Sequence, residues 1–146
     1  MTQRHWQSAA VLAAGLVAGG LGCRQSGPTL APVTGVVTVN GDPVPGVIVE
    51  FQPESPGSPS IGQTDSDGRY ELRFSRKRWG ALLGKHTVRV NFDHDPDAGN
   101  PPPPFQIPAK YNAQSELTAE VKSGGNKYDF ALTIDLSKAA SSARQR

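Results

Sequence analysis

From Val33 onward the apolar side chains recur at every second position, in short runs that end at glycine, proline or asparagine. That spacing is the repeat of a strand with one buried face; an amphipathic helix needs spacings of three and four. Val33, Gly35, Val37 and Val39 alternate with Thr34, Val36, Thr38 and Asn40, and Val47, Val49 and Phe51 are set against Glu50 and Gln52. Tyr70, Leu72 and Phe74 alternate with Arg69, Glu71 and Arg73. His86, Val88, Val90 and Phe92 alternate with Thr87, Arg89 and Asn91. Leu117, Ala119 and Val121 share one face, as do Tyr128, Phe130, Leu132 and Ile134. With a short strand over Ile61 to Thr64, the pattern predicts seven strands, all-β, and no helical stripe between Val33 and residue 136. The 16 glycines and 13 prolines in 146 residues suit many short strands joined by turns.

The turns are spelled out locally. In Thr64-Asp65-Ser66-Asp67-Gly68-Arg69-Tyr70, Asp65 is placed to bond back to the turn backbone and Gly68 to take a positive φ, while Asp67 sits solvated at the tip. Two aspartates beside a glycine also suggest a metal or an acid-base pair, but the turn accounts for Asp65 and Gly68 directly, and a hairpin is expected here. Asn40-Gly41 marks another turn, and Ser123-Gly124-Gly125-Asn126 is expected to close a second hairpin.

The N-terminal segment has a different composition. Arg4 and His5 lead into an Ala/Val/Leu/Gly run over residues 8–21, followed by Gly22 and Cys23. A run this short reaches about 20 Å as a helix, less than the roughly 30 Å of a bilayer core, so it reads as a secretion signal and not a permanent span. The chain's one cysteine rules out an internal disulfide and stands where the signal ends. Gly20-Leu21-Gly22-Cys23 resembles the lipobox of bacterial lipoproteins, with Gly20 where that pattern most often has leucine. The resemblance implies a thioether-linked diacylglycerol on Cys23, cleavage before it, and an exported protein lipid-anchored to a membrane of the cell envelope. Residues 1–22 are then a lipoprotein signal peptide, 23–32 the anchor and tether, 33–136 the folded domain, and 137–146 a disordered tail.

Val33 to Phe51, followed by Thr64 to Leu72 and by Gly84-Lys85-His86-Thr87-Val88-Arg89-Val90, resembles the carboxypeptidase regulatory-like domain, with His86 in the place of the family's tyrosine. The resemblance implies a single seven-stranded transthyretin-like, immunoglobulin-like β-sandwich used as an accessory or interaction module. It also implies that Ile107-Pro108-Ala109-Lys110-Tyr111-Asn112 precedes the last two strands, with Phe105 and Tyr111 packing the long Pro-rich loop, 93–112, against the sandwich.

Two segments carry charge in a pattern. Arg76, Lys77 and Arg78 beside Trp79 form a basic loop that could hold an envelope glycan or another anion by charge and cation-π contact. The competing reading is a basic loop that caps one end of the sandwich. Asp93, Asp95 and Asp97 have the spacing that opens a calcium loop, and a calcium-dependent adhesion module over 93–99 is the third reading. The loop glycine is replaced by Ala98, Pro96 stiffens the segment and no glutamate stands at the twelfth position, so a solvated acidic loop without metal is expected.

A net charge of +2, with 36% hydrophobic and 19% charged residues, describes one ordinary globular domain and argues against nucleic acid as partner. No nucleophile elbow, phosphate-binding glycine loop or zinc-peptidase His-Glu-x-x-His occurs, and the C-terminal Tyr-Arg-Gly-Ser of the transthyretin-like hydrolase is missing. The expectation is a non-catalytic, lipid-anchored envelope protein without cofactor, whose domain serves structural or interaction roles.

Overall fold

The computed structural model describes residues 27–93, 103–135 and 137. Residues 1–22, expected to be a signal peptide, together with Cys23, Asp95, Asp97 and the residues after 137, lie outside that range.

Thirteen strand segments occur among the described residues: β1 (Leu30–Ala31), β2 (Val33–Val39), β3 (Asp42–Pro43), β4 (Val47–Pro53), β5 (Ser60–Gln63), β6 (Arg69–Glu71), β7 (Arg73–Ser75), β8 (Arg78–Trp79), β9 (Ala81–Leu82), β10 (Gly84–Phe92), β11 (Thr118–Val121), β12 (Asn126–Lys127) and β13 (Phe130–Leu132). The protein is all-β, built from several sheets. A six-stranded antiparallel sheet runs β11-β10-β4-β5-β7-β8. Its centre is the β4–β10 pair, in register from Val47↔Phe92 to Pro53↔His86. The second sheet is organised on β2, which pairs in parallel with β12 and β13 and antiparallel with β3 and β6. A two-stranded ladder, β1–β9, joins Leu30 to Leu82 and Ala31 to Ala81.

The inward positions are those the alternation predicts. Val33, Val37, Val47, Val49, Phe51, Leu72, Val88 and Val90 are fully buried, and they belong to one core cluster with Phe130, Leu132 and Ile134. Burial of β-branched side chains on both faces of that core is what holds the two sheets together. Aromatic rings fill its centre, with Phe51 5.7 Å from His86, 5.9 Å from Tyr128 and 6.2 Å from Phe130.

Strand partners differ from expectation at both predicted hairpins. The 64–69 turn forms as its chemistry dictates: Gly68 N–H donates to the Asp65 carbonyl at 3.0 Å, and Asp65 Oδ1 accepts from the amides of Asp67 and Arg69, each at 2.9 Å. Yet β5 and β6, on either side of it, do not pair. β5 lies in the six-stranded sheet against β4 and β7, whereas β6 lies on β2. The predicted strand 69–74 is broken at Leu72, where the chain returns from the second sheet to the first. Likewise Ser123 to Asn126 joins β11, on β10, to β12, on β2. Both turns are bridges between sheets. At the first turn β5 is flanked by β4 and β7, and at the second β11 and β12 are end strands of different sheets.

The Asn40-Gly41 turn does close a two-residue hairpin, between β2 and β3, with φ of 53° and 95°. The Pro-rich loop is held at its end as expected. The Phe105 ring meets Phe92 edge-on at 5.1 Å, Ile107 is buried, and the Tyr111 hydroxyl, on a 3-10 turn over Ala109–Tyr111, accepts from Thr133 N at 3.1 Å.

Candidate groove on the outer face

The passage of β6 and β7 between the sheets leaves a hollow on the outside. Where two strands of one run leave for different sheets, their outward side chains splay instead of lying on one surface. The result is a groove of about 750 Å³ between the outer faces of β5, β7 and β8 on one side and β2 and β6 on the other. Its floor depends on two glycines. A Cβ on Gly62 would stand 2.7 Å from the Glu71 carbonyl oxygen, and one on Gly35 would stand 1.7 Å from that of Tyr128. No other residue permits these backbones to approach so closely.

One wall is a cross-strand row. Ile61 on β5 is the register partner of Arg73 on β7, and Arg73 is the partner of Trp79 on β8. The Arg73 guanidinium carbon lies 3.7 Å from the centroid of the Trp79 ring, a stacked cation-π contact that fixes the indole on a strand. Trp79 nonetheless keeps 48% of its surface in solvent and Ile61 keeps 44%. With one indole face under the guanidinium, the exposed area is the other face and the edges. The opposite wall supplies Thr34, Arg69, Glu71 and Lys127.

The charges in the groove are not equivalent. Arg69 is 3.6 Å from Asp67, and Lys127 is 3.4 Å from Asp129. Asp65 is held by the turn amides. Arg73 has no carboxylate partner among the described residues. It is the groove cation left open to an incoming acceptor.

The basic segment therefore has a different shape from the predicted loop. It is the β7–β8 hairpin, with Arg76 and Lys77 exposed at its tip. Arg78 and Trp79 are consecutive on a strand and project to opposite sides. Arg78 lies over Phe74 at 5.6 Å and donates to the Pro28 carbonyl at 2.5 Å. Hence Arg76, Lys77, Arg78 and Trp79 do not converge on one point, and the cation that does work with Trp79 is Arg73. The period-two alternation of 69–74 put Arg73 on the outward face, but the cross-strand pairing that sets it beside Trp79 has no local signature. Asp93 is exposed at the end of β10, and among the described residues no three His, Cys, Asp or Glu side chains gather as metal ligands.

Two titratable groups inside the domain are turned toward structure. The Tyr70 hydroxyl donates to the Tyr128 carbonyl at 2.7 Å, and burial, with Asp129 and Tyr128 adding to it, pushes its pKa far above the ordinary phenol value. His86 is 1% exposed, and its Nδ1 is 3.0 Å from the Gly84 carbonyl, which requires a hydrogen on that nitrogen. Burial lowers its pKa, opposed by the Gly84 hydrogen bond and by Glu54.

No family model matches the chain. No curated protein matches it either. Among solved structures it is similar to a DUF3823 family protein from Parabacteroides merdae, with 16% identity and a TM-score of 0.44, over 73% of this chain and 47% of that one. The chain thus spans about half the length of that protein.

Proposed function

We propose that this protein is a non-catalytic binding module of the cell envelope, exported, lipid-anchored at Cys23, and built as a transthyretin-like β-sandwich of the carboxypeptidase regulatory-like kind. Its ligand surface is the outer groove. The observation that carries this reading is Trp79, an indole half exposed to solvent yet held in place by Arg73 at the wall of a 750 Å³ groove. An aromatic platform fixed on a strand loses little entropy when it is covered, which is the property of an interface anchor. Beside it stand an open guanidinium and the polar side chains of Gln63, Thr34 and Glu71. A sugar ring, with an apolar face and hydroxyls at its rim, matches that arrangement, so an envelope glycan is the ligand class.

The two buried titratable groups support a binding role over a catalytic one. Tyr70 is held protonated near neutral pH and His86 is closed off from solvent, and each is occupied with a backbone carbonyl. The test is retention on isolated, delipidated envelope glycan. Trp79→Ala should weaken retention roughly tenfold or more, the loss expected of a central aromatic anchor. Unchanged retention by a variant that melts like the wild type removes the groove reading.

A further inference from the structure

We propose that the β7–β8 hairpin is a second membrane contact, pressing the domain onto anionic phospholipid headgroups beside its lipid anchor. This rests on the anchor at Cys23 given above. It is carried by where the tether meets the folded domain.

Gly27 and Pro28 run directly against Arg78. The Arg78 Nη2 donates to the Pro28 carbonyl, and a Cβ on Gly27 would stand 2.7 Å from Arg78 Nη1. The chain then enters β1 and pairs with β9, just beyond the hairpin. The tether therefore leaves the domain at the foot of the basic hairpin. Cys23 is four residues before Gly27, a reach of at most about 14 Å for a fully extended chain. A diacylglycerol on that thiol lies in the bilayer surface, so the hairpin cannot move far from the headgroups. Surface charges act over a screening length of about 8 Å at physiological salt, which the tether can bridge.

The charges at that end suit the surface they would meet. Arg76 and Lys77 are exposed at the tip, and neither makes an ion pair among the described residues. Arg78 is engaged in fastening the tether, which also orients the tip relative to the anchor. A basic side chain near an anionic leaflet strengthens attachment by roughly fivefold, and lipid chains combined with a basic patch act as two joined signals. The hairpin thus sets which face of the domain looks at the membrane, and it leaves the Trp79 groove beside that contact.

Trp79 is the only tryptophan after position 22 and adjoins the hairpin, so it serves as the reporter. The protein extracted from membranes is placed on vesicles of phosphatidylcholine, with or without phosphatidylglycerol, carrying a headgroup-labelled acceptor. Energy transfer from Trp79 should rise on the anionic vesicles and fall back at about 1 M salt. In Arg76→Ser/Lys77→Ser the rise should disappear, and partition of the unlipidated chain added to anionic vesicles should drop roughly thirtyfold. Both positions are exposed, so the variant should melt like the wild type. Equal transfer on neutral and anionic vesicles, or no effect of the double substitution, overturns the proposal. So does a double variant that loses binding to a soluble acidic glycan while vesicle contact is unchanged, which would make the hairpin a glycan reader. The mass of the Cys23 peptide tests the anchor separately, because the added-chain arm reads the hairpin even where no lipid is attached.

Discussion

At the scale of single residues, glycine and asparagine do different work at positions that look alike in the sequence. Gly41 and Gly68 both have positive φ, of 95° and 71°. A Cβ on Gly41 meets nothing within 4 Å, whereas one on Gly68 would stand 2.6 Å from the Val37 carbonyl oxygen. Gly41→Ala should therefore cost only the left-handed penalty, about 1–2 kcal/mol, and Gly68→Val should add overpacking for a total of about 3 kcal/mol or more, both read from urea denaturation. A Gly68→Val protein that melts normally would contradict the packing described. His86 carries a pH dependence of definite sign. Its pKa is lowered in the fold, so below the ordinary histidine value of about 6.5 the unfolded chain binds a proton that buried His86 resists. Stability from this group is present above about pH 6.5 and is lost as pH falls toward the folded pKa. His86→Leu should flatten the fall in denaturation midpoint between about pH 7 and the mildly acidic range, where carboxylates have yet to titrate. A wild-type midpoint constant over that interval would sink the account.

At the scale of elements, the protein is governed by its crossings. Leu72 is 0% exposed, and its backbone serves two regions: its N–H donates to the Val33 carbonyl at 3.0 Å and its carbonyl accepts from Gly80 at 2.8 Å. It is the hinge where β6 ends on one sheet and β7 begins on the other. Leu72→Ala should cost about 2–5 kcal/mol, by cavity formation in the shared core. The second crossing is tied by Asn126, whose side chain accepts from Lys122 N at 3.0 Å and donates to the Lys122 carbonyl at 2.8 Å. Asn126→Ala should cost about 1–3 kcal/mol, and amide exchange should quicken first in β12, whose pairing with β2 covers only Asn126↔Val33 and Lys127↔Thr34. Uniform exchange across the domain in that variant would show that the crossing is not tied locally. The longer strands were legible from period two, and most of their inward faces matched, but β1, β3, β8 and β9 were not expected and the run read as one strand over 127–134 is split into β12 and β13. Strand partners were not legible, because turn chemistry acts over four residues while pairing is decided by strands far away in the chain.

At the scale of the whole molecule, the question is what the domain faces and where it is held. Replacing Cys23 by Ser should move the protein out of the membrane fraction; a wild type already soluble, with a free titratable thiol, would remove the anchor and with it the oriented display proposed here. For the groove, Arg73→Ala should weaken glycan retention about as much as Trp79→Ala, since the guanidinium both positions the indole and offers the open donor. The sequence by itself determined the all-β class, the longer strands, the Asp65–Gly68 and Asn40-Gly41 turns, the inward valines and the place of the one cysteine, because each follows from backbone and side-chain preferences within a few residues. Only the tertiary structure decided that β2 would take four partners and that two apparent hairpins would bridge two sheets. The same long-range choice set Arg73 against Trp79, twisted the basic run into a hairpin, and brought Pro28 to its foot. Edges compete for strands through contacts remote in sequence, and no short window of residues contains the outcome.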